Sequence, residues 1–419
     1  MSDQENPELD ILYSLQMIVE DEFMDIVSNR NPRDRGGKRL QFLDIFSSFI
    51  NGNNERTACF LDERYSYLYI AVNENDDPQT HLFAREVLFS MQKIMKNFNA
   101  EQSDVLLTKI LIRNLNRMIN YVKGSKFLQS FAKILSDKKI TNDVIDLFAK
   151  ESCWKFINAE NIFHYVKESD NLYEIVRSLD EFDSKDSILH ILHKIAFLRW
   201  YYVKIMRRMI HIHKLGRTSF SSIKDVIQVP VADKLICSRD INYNPSKLIS
   251  ELCNKYDINY NNSICAYIDI KLDNSTYDNI EYNQWNDELI TTTFNGSMHA
   301  EMSLITHLMK IGIMYGEIGV SKPCCLSCYM FMKMLTCNHL AEFIVSGSYD
   351  KFDSSWTMPQ PEELLRDIYT RTTRNMIIML YSCYMKQLAK KNEEEVFYHD
   401  GPLTIISDGD DDYYDVTLL

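Results

Sequence analysis

Glu317-Ile318-Gly319-Val320-Ser321-Lys322-Pro323-Cys324-Cys325-Leu326-Ser327-Cys328 is an extended run that turns into a helix. Ile318 and Val320 give the strand its apolar residues. Pro323 stops it, because the ring fixes φ and removes an N–H. From Cys325 to about Leu335 apolar residues return at helical spacing. The same grammar occurs just upstream. Leu289-Ile-Thr-Thr-Thr-Phe294 is a β-branched strand ending at Asn295-Gly296, after which Ser297 is placed to cap a helix to about Lys310.

Working outward, Glu342-Phe-Ile-Val-Ser346 and Ser263-Ile-Cys-Ala-Tyr-Ile-Asp-Ile-Lys271 are further strands, and Leu403-Thr-Ile-Ile406 a last one. Helices are expected around Pro245–Tyr256 and over Pro361–Lys391. Strands alternating with helices predict an α/β domain over 216–407, its sheet covered on both faces. Residues 408–419, with Asp408-Gly-Asp-Asp-Asp-Tyr-Tyr-Asp415, read as an acidic disordered tail.

Residues 1–215 have a different pattern. Apolar residues recur at three- and four-residue intervals in Leu12–Val27, Leu40–Ile50, Leu82–Met95, Val105–Val122, Phe127–Leu135, Val144–Phe156 and Ile188–Ile212. Breaks fall at Asn31-Pro32, Gly36-Gly37, Asp76-Asp77-Pro78, Gly124 and Gly216. A large, irregular all-α domain is expected there, with no fixed-period repeat.

Composition narrows the setting. The chain opens Met-Ser-Asp-Gln-Glu-Asn-Pro-Glu, acidic and polar, and its longest apolar stretches fall short of the roughly 20 residues a membrane span needs. The ten cysteines include several that lie singly in or beside apolar runs, as buried free thiols do. An intracellular protein with reduced thiols, cytoplasmic or nuclear, is expected. Net charge is −13, so the average field opposes a phosphate backbone. Locally the sign reverses. Ser187–Lys224 contains no acid but carries Lys194, Arg199, Lys204, Arg207, Arg208, Lys214 and Arg217. That stretch reads either as a basic helix packed against acidic neighbours or as a polyanion contact over 194–217. His190, His193, His211 and His213 within it have no acid or cysteine nearby and are given structural or surface roles.

His299-x-Glu301 is the only His-x-Glu in the chain and Cys325-x-x-Cys328 the only Cys-x-x-Cys; each opens a helix after a strand. Cysteines three apart in a first helical turn face one side and can bind one ion. A helix N-terminus favours their thiolates. With His299 as third ligand, zinc would keep one tetrahedral position open, the arrangement of a catalytic site. Glu301 lies two positions on, about 200° around the helix from His299. It is therefore better placed to move protons than to chelate the same ion.

His-x-Glu followed by Cys-x-x-Cys after a strand resembles the zinc deaminases that act on cytidine, adenosine and nucleic-acid bases. More narrowly, Gly319-Val-Ser-Lys322, the double cysteine, and Ser346-Gly347-Ser348 leading to Trp356-Thr-Met-Pro359 resemble the fungal nucleic acid/nucleotide deaminase-like branch. The likeness covers roughly 260–360. It implies a three-layer α/β/α deaminase-like domain with a mixed sheet and a Zn2+ cofactor on His299, Cys325 and Cys328. It further implies hydrolytic removal of an amino group from a nucleobase, free or in a nucleic acid, with zinc-activated water as nucleophile and Glu301 as proton shuttle. Phe294 and Trp356 are candidates for stacking on the base. The superfamily pattern is Pro-Cys-x-x-Cys, whereas Pro323 is followed first by Cys324. Pairing Cys325 with Cys328 keeps the i, i+3 geometry and leaves Cys324 a neighbour.

Three alternatives stand beside this reading. A structural zinc site of Cys325, Cys328, Cys337 and His339 would suit a non-catalytic helical interaction protein. A redox pair would also open a helix after a strand; a zinc ion found by mass spectrometry on the reduced native protein would argue against it. A lapsed deaminase fold would keep the metal without turnover. Joint replacement of Cys337 and His339 separates the first from the deaminase reading. Zinc, measured by elemental analysis, should be retained under the deaminase reading and lost under the structural one.

Overall fold

A computed structural model describes residues 12, 38–52, 56–73, 78–125, 128–182, 184–215, 222–229, 237–243, 290–296, 298–347, 356–358, 366, 369–378 and 380. Among the described residues the first full element is α1 (Lys38–Ile50), whose Leu40, Leu43, Phe46, Phe49 and Ile50 are fully buried at helical spacing. It leads into a hairpin of β1 (Thr57–Asp62) and β2 (Tyr67–Val72), paired antiparallel from Thr57 opposite Val72 to Asp62 opposite Tyr67. A helical region then runs through α2 (Pro78–Lys96), α3 (Ala100–Arg113), α4 (Leu115–Gly124), α5 (Leu128–Asp137) and α6 (Asp143–Phe148). It ends in α7 (Ile162–Ser178) and the 30-residue α8 (Lys185–Lys214).

After these helices come β3 (Asp225–Gln228), β4 (Cys237–Tyr243) and β5 (Ile290–Gly296). The site helices follow: α9 (Ala300–Lys310), β6 (Tyr315–Val320), α10 (Leu326–Cys337) and β7 (Glu342–Ile344). Five strands form one mixed sheet in the order β3-β2-β1-β6-β7, and β4 pairs with β5 in a second, two-stranded sheet. In the main sheet β1 runs antiparallel to β2 and β6, while β2–β3 and β6–β7 are parallel.

Strand alternation divides the molecule into two cores. Ala58, Phe60, Tyr69, Ala71, Ile318 and Val320 face one core, which they share with α9 and α10. Cys59, Leu61, Leu68 and Ile70 face the other, shared with α1 and the helices from α2 to α8. The sheet is thus the middle layer of an α/β/α arrangement, and the helical region forms much of its second outer layer.

The helical reading of the first half is corrected at 57–72. Thr57-Ala-Cys-Phe-Leu-Asp62 is buried at every position. A strand covered on both faces shows no alternation, so periodicity cannot separate it from a buried helix. As a result one sheet draws strands from both sides of residue 215. The single helix expected over Val105–Val122 is two, divided at Asn114, whose side-chain amide donates to Ile110 O and to Phe49 O at the end of α1. Expected elements at Pro245–Tyr256, Ser263–Lys271 and Leu403–Ile406, and the acidic tail, lie outside the described residues, as does all of Leu12–Val27 except Leu12. Within Pro361–Lys391 the described residues are helical. Among the described residues no helix is long and apolar enough to cross a membrane.

The contact between α1 and the sheet leaves no slack. A Cβ on Gly319 would lie 2.2 Å from the Leu43 carbonyl carbon and 2.6 Å from Asp44 N. Polar bonds fix the same seat. Asp44 Oδ1 accepts the Val320 N–H at 2.8 Å, and Ser47 Oγ lies 2.9 Å from Cys59 Sγ and 3.2 Å from Gly319 O. Burial pushes the Asp44 carboxyl up to about 7, against the lowering effect of bonds from Val320 and Ser346. Gly319→Ala must push α1 away from the sheet. It should cost at least the ~1–3 kcal/mol typical of overpacking, read as a lower midpoint in chemical denaturation; an unchanged midpoint would contradict this packing.

Candidate metal centre

The two motif helices open at the same place. His299 holds the cap position of α9 in an extended conformation (φ −75, ψ 154), and its carbonyl accepts the Ser303 N–H at 3.0 Å. Cys325 does the same for α10 (φ −68, ψ 161), accepting from Tyr329 N–H at 3.0 Å. The cap of α9 was expected at Ser297, which lies outside the described residues. It falls at His299 because that is the residue preceding the first helical turn. Neither cap residue spends its side chain on the helix. For α9 the task passes to Asn73, just after β2, whose Oδ1 accepts the Ala300 N–H. The His299 ring is thereby released to turn toward the cysteines.

His299 Nδ1 lies 3.3 Å from Cys325 Sγ and 3.5 Å from Cys328 Sγ. All three ligand atoms fall within 4.8 Å of one another, and all three residues are buried. Tetrahedral zinc with ordinary Zn–N and Zn–S lengths separates nitrogen and sulfur by about 3.5 Å. The donor set and its spacing therefore fit zinc with little rearrangement. The thiols are already polarised. Burial raises Cys325, but hydrogen bonds with Cys328 and His299, together with the charge of His299, hold it well below its ordinary value. Burial, and then the neighbouring Cys325, push Cys328 well above its own. Binding of a cation displaces the remaining proton.

Glu301 stands in the first turn of α9, 2% exposed, with its Oε2 buried and lacking a hydrogen-bond partner among the described residues. Burial raises its carboxyl above the usual range, opposed by His299 and, more weakly, by Arg56. Cys324 is not part of the cluster. Its Sγ and its N–H both approach Gly347 O at 3.3 Å, and burial pushes its thiol well up. Cys337 and His339 do not join the three-residue group either.

Trp356 is fully buried in the core that contains Cys325 and Cys328, its indole N–H without a partner among the described residues. Phe294 lies in β5 opposite Arg239. On the basic helix Arg199 is ion-paired with Asp170, and Lys194 lies over the Tyr121 ring. Lys204, Arg207 and Lys214 are exposed, whereas Arg217 lies outside the described residues.

Sequence reasoning missed two residues that touch this centre. Arg56 brings Nη1 within 3.4 Å of His299 Nδ1, and its carbonyl accepts the Asn73 N–H at 2.9 Å. Neither Arg56 nor Asn73 lies in a motif. Only the return of the chain to the same sheet places them here.

Residues 298–360 match the family model described as OTT_1508-like deaminase. This segment is deaminase-like. It contains His299, Glu301, Cys325 and Cys328, so the match and the metal-fitting cluster fall on the same residues and together support a deaminase. No curated protein and no solved structure matches the chain. The deaminase-like segment supplies α9, β6, α10 and β7, while the hairpin and α1 that complete its surroundings come from outside it.

Because the cluster joins two helix tips across the core, metal should hold the fold as well as the chemistry. Cys328→Ser is expected to lose bound zinc and to melt at lower temperature than the zinc-loaded protein. Normal zinc content in that variant, measured by elemental analysis, would remove Cys328 from the ligand set.

Proposed function

We propose that the chain is a zinc-dependent hydrolytic deaminase acting on a nucleobase in a nucleoside, nucleotide or nucleic acid. The observation that carries this reading is the approach of His299 Nδ1 to the sulfurs of Cys325 and Cys328 at 3.3 and 3.5 Å, within a segment that matches a deaminase family. In it His299, Cys325 and Cys328 hold the ion and Glu301 does not. Zinc, when bound, supplies the Lewis acidity that makes water a competent nucleophile at neutral pH.

The chain's own residues then manage protons and position. Glu301 takes a proton from the attacking water at its carboxylate and gives it to the ring nitrogen, then takes the remaining proton of the added hydroxyl and delivers it to the amino group, which leaves as ammonia while the carbonyl forms. Its buried Oε2, with no partner among the described residues, is available for that traffic. Asn73 keeps the His299 ring aimed at the thiolates by taking over the helix cap. We place the base against Phe294 and Trp356, whose buried indole N–H is a donor that a ring acceptor can satisfy. The exposed Lys204, Arg207 and Lys214 of α8 are the polyanion contact in this reading.

Glu301→Gln separates metal binding from turnover. It should retain zinc in roughly stoichiometric amount while ammonia release falls by ~10²–10⁴-fold. The assay offers nucleosides, nucleotides, single-stranded DNA and RNA to the zinc-loaded chain and detects product by mass. Undiminished turnover in the variant would exclude Glu301 from the reaction.

A further inference from the structure

The pair of helices α2 and α3 is apolar on two sides. One side is buried: Val87, Leu88 and Met91 of α2 and Leu107, Ile110 and Leu111 of α3 lie in the helical core. The opposite side faces outward, where a helix packed on a single core normally carries polar residues. Instead Leu82 is 61% exposed, Phe89 39%, Val105 53% and Ile112 42%. Leu82 and Phe89 are two helical turns apart on α2, as are Val105 and Ile112 on α3, so each pair shares one stripe of its helix.

Side-chain contacts set the two stripes side by side. Lys109 Nζ donates to Glu86 Oε1, and Arg113 Nη2 donates to Thr80 Oγ1. The Arg113 guanidinium also lies 5.9 Å from the centre of the Phe83 ring. The helices are therefore antiparallel, with residue 86 level with residue 109. One turn away in either direction, this register puts Leu82 level with Ile112 and Phe89 level with Val105. A further turn brings Lys93 level with Glu101, both exposed. At the rim, Arg85 lies 5.9 Å from the centre of the Phe89 ring and donates to Asp225 Oδ2 at 3.2 Å. Single exposed apolar side chains are ordinary, whereas a contiguous group rimmed by charge marks a protein contact.

We infer that the outer face of α2 and α3 is where a second copy of this chain docks, giving a two-fold symmetric dimer joined through a four-helix bundle. Charge selects both the occupant and the axis. A two-fold axis running along the helices lays α2 of one copy on α3 of the other, antiparallel and at the same level. Glu86 then meets the partner subunit's Lys109, and Lys93 meets the partner subunit's Glu101. Leu82 packs on the partner subunit's Ile112, and Phe89 on the partner subunit's Val105. Symmetry makes each contact twice, so the face is complementary to itself in charge and in apolar surface. Every helix also has antiparallel neighbours, as in up-down bundles. A two-fold axis across the helices would instead lay Glu86 on Glu86 and Lys109 on Lys109, which like-charge repulsion opposes. Neither α9 nor α10 takes part, so the dimer and the deaminase reading stand or fall separately.

The test is the oligomeric state of the zinc-loaded full-length chain, followed by sedimentation equilibrium. Its mass should rise with concentration toward twice that of one chain. Glu86→Lys and Lys109→Glu each set like charges across the contact and should weaken the dimer about tenfold or more. Mixed together, these two variants should recover dimers, because each then carries the charge that the other lacks. Damage to the fold could not produce that recovery. The ion pair itself is exposed, so its loss costs the fold little, and circular dichroism should show unchanged helix content. Replacing the apolar pair, Leu82→Ser with Phe89→Ser, should abolish association. A wild-type chain that stays monomeric overturns the inference and gives the face to a different protein or another segment of this chain. A dimer that survives both charge reversals and the Ser replacements overturns it as well, because it must form elsewhere.

Discussion

The pairing of Ala58–Phe60 with Ile318–Val320 is the contact on which the rest of the molecule depends. It brings together two parts of the chain separated by the whole helical region. Everything at the candidate centre then follows from its register. Ser321 bonds to Thr57, Asn73 at the end of β2 reaches the first N–H of α9, and Arg56 reaches the imidazole. The entropy of closing so long a loop grows only as the logarithm of its length. A large helical insertion between β2 and β3 is therefore tolerated, provided it packs well itself. It does so by using the face of the sheet opposite α9 and α10.

Close packing and polarity divide the labour. Gly319 lets the backbone of α1 lie directly on β6, and Asp44 and Ser47 anchor that contact with hydrogen bonds. On the opposite face two helix N-termini converge, and their unpaired N–H groups favour negative charge at that point. There Cys328 and His299 hold the Cys325 thiol well below its ordinary value, while burial raises Glu301. A cap residue normally bonds to its own helix through its side chain. Asn73 takes over that bond, and the histidine ring faces the two cysteines instead.

Much of the centre was legible without coordinates. His299, Cys325 and Cys328 were named from residue type, spacing and position at helix starts, and the structure brings those three atoms together. The strands at 290–296, 315–320 and 342–344 and the helices after them lie close to where alternation and turn residues put them. The hairpin at 57–72 was not legible. Its strands are covered on both faces and show continuous burial, which erases the two-residue period. Arg56 and Asn73 carried no motif, because a lone cation or amide acquires meaning only from what lies across from it.

The sequence by itself determined the chemistry on offer: a soft, metal-fitting donor set at two helix tips, a carboxylate turned away from it, and a strand–helix alternation around both. Local spacing decides such things, since ligand geometry is set within single helical turns. Only the tertiary structure decided which distant residues surround that chemistry. Sheet register placed Arg56 against His299 and Asn73 at the first N–H of α9, and helix packing tied the start of α4 to the end of α1. Pairing between strands far apart in the chain obeys the burial of whole faces, and no short stretch of sequence encodes that.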